Sequence, residues 1–160
     1  MELHNTKIDL AKGKREKLIA ILNQSLAEAM DMKSQAKQAH WNVKGPNFIA
    51  LHELFDQVAT EIETHVDDLA ERVTTLGGVA MGTVRIAAET SSLSQYPMEL
   101  TDGTAHVDAL STALAEFGKK ARKNIDVTDE LGDKDTADLY TGISRGVDKL
   151  LWFVEAHNQA

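Results

Sequence analysis

Between a Gly45-Pro46-Asn47 break and the pair Gly77-Gly78, the apolar residues Phe48, Leu51, Phe55, Val58, Ile62, Leu69, Val73 and Leu76 follow one another at steps of three, four or seven. Only an α-helix lays such a series along one stripe, and a stripe this long must be covered by other helices. The break and the two glycines set its ends, with Asn47 as the expected N-cap. A chain with this seam folds as a helical bundle rather than around a sheet.

Three further segments carry the same period. The first runs from about Lys14 to Val43 and places Leu18, Leu22, Leu26, Ala29 and Ala36 on one face. His40, eighteen residues beyond Leu22, points the same inward way, and Trp41 beside it is expected in the core. A third helix starts near Thr101 or Asp102 and buries Val107, Leu110, Leu114 and Phe117. It is expected to end in the basic run Lys119, Lys120, Arg122 and Lys123, which suits a helix C-terminus. The acidic segment from Asp126 to Asp135 then reads as a solvated loop in which Asp133 or Asp135 caps the last helix. That helix carries Ala137, Tyr140, Ile143, Val147, Leu150, Leu151 and Val154. Residues 79–101 hold Gly82, Pro97 and a Ser/Thr-rich middle, and read as a long crossing connection with one short helix around Arg85 to Leu93. The expected architecture is all-α: a four-helix bundle over residues 14–160, with a short extra helix between helices 2 and 3, after an N-terminal tail of residues 1–13.

Composition limits the chemistry. A chain of 160 residues can bury a real core as one domain. It contains no cysteine, which removes disulfides, thiolate metal sites and cysteine nucleophiles. The net charge of -8, from 25 acidic against 17 basic residues, opposes nonspecific nucleic-acid binding by the body of the protein and favours cations. With no apolar signal region and no membrane-length apolar run, a cytoplasmic protein is expected.

Cation chemistry has candidate residues along the second helix. His52 and Asp56 are four apart, as are Asp67 and Glu71, so each pair lies side by side on one helix face. Asp56 and Asp67, however, are eleven residues apart, roughly 16 Å along a continuous helix, and one ion cannot span that. Either the pairs are unrelated, or an antiparallel second copy of the helix brings Asp67 and Glu71 to His52 and Asp56. By spacing alone, Asp67 and Glu71 are equally well read as solvated charges, and His40 alone as a core residue. His4, His65, His106 and His157 have no partners at metal spacing. His52-Glu53-x-x-Asp56 echoes a metallopeptidase motif, but an aspartate stands where the second histidine belongs.

The run Lys37-Gln38-Ala39-His40-Trp41-Asn42-Val43-Lys44-Gly45-Pro46-Asn47-Phe48, followed by Leu51-His52-Glu53-Leu54-Phe55-Asp56, Asp67-Asp68-Leu69-Ala70-Glu71-Arg72, Leu76-Gly77-Gly78 and the late Asp148-Lys149-Leu150-Leu151-Trp152-Phe153, resembles the Dps family of ferritin-like mini-ferritins. The resemblance spans essentially the whole chain. It implies a homododecamer assembled from two-fold dimers, in which iron(II) is oxidised, preferably by hydrogen peroxide, and stored as ferric mineral. It implies the ligand set His40, His52 and Asp56 from one chain with Asp67 and Glu71 from the other, and a role for Trp41 as a nearby electron donor. The acidic segment would line a three-fold pore that guides iron inward, with Asp129, Asp133 and Asp138 as the residues involved.

Imidazole and carboxylate suit iron(II), and carboxylate also suits the harder iron(III). No Glu-x-x-His occurs, which argues against a di-iron site inside one subunit. Ligand type alone leaves zinc and manganese open. Relatives that coat DNA do so through a basic tail; here Lys7, Lys12, Lys14, Arg15 and Lys17 are the residues available for weak DNA binding. The alternative function is therefore a nucleoid-associated, DNA-binding structural protein in which metal binding is incidental.

Overall fold

A computed structural model describes residues 3–159. Its elements are α1 (Lys12–Asn42), α2 (Phe48–Thr75), α3 (Val84–Thr90), α4 (Gly103–Glu130) and α5 (Lys134–Glu155). Among the described residues the only β pairing is one isolated parallel bridge between Lys44 and Asp102. The four long helices enclose a single core whose largest fully buried side chains include Tyr140, Phe55, Phe117, Leu22 and Met32. No described helix is long and apolar enough to cross a membrane.

The core follows the sequence periodicity. On α2, Leu51, Phe55, Val58, Ile62, Leu69 and Val73 are buried, and on α1 the stripe from Leu18 through Leu22, Leu26 and Ala29 to Ala36 is sealed. Helix α2 stops where glycine permits it: Gly77 adopts φ +87°, and the bonds Gly78 N to Val73 O and Gly77 N to Thr74 O satisfy the last carbonyls. Asn47 makes no capping bond to α2, contrary to expectation.

The third long helix departs from the sequence reading. Instead of ending at the basic run, α4 continues to Glu130 and takes in Asp126 and Asp129. Two things carry it past the unfavourable acidic last turn. Ala121 and Thr128 are buried, and Ile125 and Leu131 pack partly against the core. The next residue able to take positive φ is Gly132, at +83°, where Gly132 N to Asp129 O and Asp133 N to Thr128 O close a second glycine stop.

Short loops make α1–α2 and α4–α5 the most closely paired helices. The bond from Lys44 N to Thr101 O, 3.1 Å, puts the start of α4 beside the start of α2. The connection from α2 to α4 must therefore run back along the whole bundle, and it does so against the polar side of α1. Gln24 Nε2 reaches Thr90 O (2.9 Å), Gln35 Nε2 reaches Ser94 O (3.0 Å), Ser91 Oγ reaches Asp31 Oδ2 (2.6 Å) and Ser92 Oγ reaches Glu28 Oε1 (2.6 Å). Glu28, buried in the bundle, is matched by Lys120 Nζ of α4 at 3.0 Å. The Tyr96 hydroxyl, 2.7 Å from His106 Nδ1, pins the end of the crossing.

The N-terminal segment lies against the bundle. His4 N bonds to Gly77 O at 2.8 Å, Leu3 and Leu10 pack on the core, and Arg15 spends its guanidinium on the carbonyls of Leu10 and Leu76. Lys12, expected in a tail, is the first residue of α1 and pairs with Glu16.

Candidate metal centre

His40, near the end of α1, and His52, in the second turn of α2, meet across the short loop with ring centroids 3.7 Å apart. Their hydrogen bonds are reciprocal. His40 Nδ1 lies 2.7 Å from His52 O, and His52 Nδ1 lies 2.8 Å from His40 O. A carbonyl oxygen only accepts, so each Nδ1 carries a proton and the neutral ring keeps its lone pair on Nε2. Two imidazoles with fixed tautomers and available Nε2 atoms form one edge of a metal site, oriented by backbone oxygens as ligating histidines usually are.

Asp56, one turn after His52, has Oδ1 2.6 Å from Lys37 Nζ of α1. That hydrogen bond outweighs the opposing effect of burial and, with further help from the charge of Lys37, holds its carboxyl below the ordinary carboxylate value. Asp67 and Glu71 lie farther along α2, both exposed. Neither carboxylate has a hydrogen bond or ion pair among the described residues; Glu71 is engaged only through its carbonyl oxygen, by Thr74 and Thr75. No three His, Asp or Glu side chains gather within one chain, among the described residues, to enclose an ion. The structure thus brings His40, His52 and Asp56 to one end of α2 and leaves Asp67 and Glu71 toward the other.

The sequence comparisons place this fold and these donor types in a family. The Ferritin family model, a ferritin-like domain, matches residues 19–160. A DNA protection during starvation protein from Agrobacterium fabrum is 46% identical over 159 residues, covering 99% of this chain and 98% of that protein. The chain belongs to the Dps family. Among solved structures, Mycobacterium smegmatis Dps in its tetragonal form superposes with a TM-score of 0.94 at 30% identity, covering 99% of this chain and 96% of that one. DpsC from Streptomyces coelicolor gives 0.93 at 30% identity, covering 99% and 92%. These comparisons establish the ferritin-like all-α bundle expected from sequence for a Dps chain.

Several residues stand elsewhere than expected. Trp41 is 66% exposed rather than in the core. It sits in the last turn of α1, where a groove of about 290 Å³ is lined by Met30, Lys33, Ser34, Lys37, Trp41 and Val84 among others, and Val84 is exposed as well. Asp133 is 4% exposed. Its carboxylate oxygens lie 2.8 and 2.9 Å from Arg72 Nη2, and Oδ1 accepts from Thr136 N at the start of α5. As a buried cap and ion-pair partner it is committed to joining α2 to the α4–α5 turn, which corrects its assignment as a pore carboxylate. Asp129 pairs with Lys134, and Asp138 is exposed. Of the remaining histidines, His106 is buried, and desolvation pushes it and His65 below the ordinary imidazole value. Lys37 is a site residue to which the sequence alone assigns no role. The signal was its place one turn before His40 on the same helix face.

Proposed function

We propose that the protein oxidises iron(II) at sites shared by two-fold related subunits, with hydrogen peroxide as preferred oxidant, and stores the ferric product inside a homododecameric shell. The observation that carries this reading is the division of one ligand set along α2. His52 and Asp56, joined by His40 of α1, occupy one end, and two unengaged carboxylates, Asp67 and Glu71, occupy the other. An antiparallel second copy of α2 unites the halves at both ends at once, as a two-fold axis requires. The exposed Trp41 and Val84 beside the site are apolar surface that such a neighbour would cover.

In this reading the chain binds its substrate iron through imidazole Nε2 and carboxylate oxygen. The histidine tautomers are set before iron arrives, and the added carboxylates favour the ferric product. Each iron(II) gives up one electron, so a pair of them reduces one peroxide to two hydroxide ions without releasing a hydroxyl radical. Protection of DNA, which the relatives' names record, then follows from removing iron and peroxide. Direct DNA binding through Lys7, Lys12, Lys14, Arg15 and Lys17 is the second reading. It is weakened by the docked N-terminal segment and by the commitment of Arg15 to two carbonyls. Asp129 and Asp138 remain the pore carboxylates of this proposal, and the cytoplasm its location.

The test is anaerobic loading with iron(II) followed by hydrogen peroxide, with hydroxyl radicals trapped. Oxidation of about two irons per peroxide, few radicals, and loss of the reaction in Asp67→Ala/Glu71→Ala support the proposal. Oxidation no faster than that of free iron would rule it out and favour the DNA-binding reading.

A further inference from the structure

Lys37 is the cation already paired with the carboxylate of the half-site. Its ammonium lies 2.6 Å from Asp56 Oδ1, its side chain is largely sheltered, and its Nζ is 5.7 Å from the centre of the Trp41 ring. Asp56 is the carboxylate that the proposed ligand set places with His40 and His52. With neutral imidazoles, the half-site formed by one chain therefore carries no net charge: one negative from Asp56 and one positive from Lys37.

We infer that Lys37 acts as a placeholder cation that keeps the half-site closed to metal until a second copy supplies Asp67 and Glu71. The inference rests on the shared-site reading above and goes beyond it by giving the site an order of assembly. Those two carboxylates change the charge facing the ion from zero to minus two, and a divalent cation then outcompetes a monovalent ammonium for Asp56. Lysine suits this task better than arginine: its charge is compact, its stem is flexible, and it has no planar fork to hold the carboxylate in two places. Its ammonium also has a second partner at hand, because it already lies 5.7 Å from the centre of the Trp41 ring and the same flexible stem can hold it there when Asp56 is released. A neighbouring ion pair shows what a purely structural contact looks like here. Lys33 and Glu63 also join α1 to α2, but Glu63 is not among the proposed ligands.

The experiment uses zinc(II) as a redox-inert probe, with binding followed by calorimetry at fixed pH and salt on the assembled protein. Placing an ammonium within about 4 Å of a divalent ion weakens binding by roughly tenfold or more even with water-like screening. Lys37→Met is accordingly expected to bind zinc at least ~10-fold more tightly than wild type, while Lys33→Met leaves affinity unchanged. In an Asp67→Asn/Glu71→Gln background, saturable binding is lost with Lys37 present and regained with Lys37→Met. In a Trp152→Phe background, zinc shifts Trp41 fluorescence when Lys37 is present and not in Lys37→Met. Lys37→Gln repeats each arm should methionine repack the groove. A zinc site that depends on His52 but is no tighter in Lys37→Met and Lys37→Gln overturns the inference and leaves the shared site standing. Absence of any His52-dependent zinc binding in wild type overturns both.

Discussion

His40 and His52 lock each other in place: each ring donates from Nδ1 to the other residue's carbonyl oxygen, at 2.7 and 2.8 Å, across the turn that joins α1 to α2. The same bonds that tie the helix ends also fix the tautomer that leaves the lone pair of each neutral ring on Nε2.

His52→Ala removes one donor and leaves the His40 carbonyl without its partner. Stability is expected to fall by about 1–2 kcal/mol, measured by urea unfolding, and zinc affinity to fall far more than that loss of stability accounts for. A variant that unfolds more easily yet binds zinc normally would show the pair to be structural only.

The carboxylates of Asp67 and Glu71 are exposed and make no hydrogen bond or ion pair among the described residues, so Asp67→Ala/Glu71→Ala should leave stability within about 0.5 kcal/mol of wild type while abolishing iron oxidation. Mixing subunits tests the division directly. His52→Ala/Asp56→Ala chains and Asp67→Ala/Glu71→Ala chains, each inactive alone, should recover activity when refolded together, because a mixed dimer holds one complete site. Failure to complement would place all ligands in one chain.

Asp133→Asn removes the charge that answers Arg72. Burial works to raise the Asp133 carboxyl, but the hydrogen bonds from Thr136 and Arg72 outweigh it and hold the group below its ordinary 3.8. A group whose folded value is depressed stabilises the fold above its unfolded value and loses that contribution as pH falls through the folded one. The variant is therefore expected to be less stable by about 2–3 kcal/mol near neutrality. The difference should begin to shrink near pH 4 and keep shrinking below it. Parallel pH-dependent denaturation curves would contradict the assignment.

Gly77→Ala strikes the docking point of the N-terminal segment. A Cβ there would stand 2.6 Å from the His4 carbonyl oxygen on a backbone with φ +87°, a strain of about 1–3 kcal/mol. Faster tryptic cleavage after Lys7 is expected. The same variant separates the two functional readings: a stronger low-salt gel shift would assign DNA binding to the freed basic segment, and an unchanged one would leave protection to iron and peroxide removal.

The helices and their buried faces were legible in the sequence because periodicity is local. The interval from Phe48 to Gly77 reads as one helix whatever surrounds it, and the buried positions of α1 and α2 are those the spacing names. The misreadings share a cause. Ending the third helix at its basic run weighed the helix dipole, worth a few tenths of a kcal/mol, against nothing, since the burial of Thr128 and the glycine stop at Gly132 depend on neighbouring elements. Trp41 looked like core by its type, although its place in the final turn of α1 turns it outward. Asp133 looked like one of several loop carboxylates, and only the approach of Arg72 from α2 buries it.

The amino-acid sequence by itself determined the helical period, the glycine stop after α2, the absence of thiol chemistry and the presence of ligand-type residues at intervals of four and eleven. The tertiary structure alone decided which of those residues meet. It stacked His40 on His52 from separate helices, set Lys37 against Asp56, laid the N-terminal segment on Gly77 and left Asp67 and Glu71 unengaged. Intervals along a helix follow from its rise and turn per residue, which the chain carries locally; contacts between helices follow from how complementary faces pack, which no single segment contains.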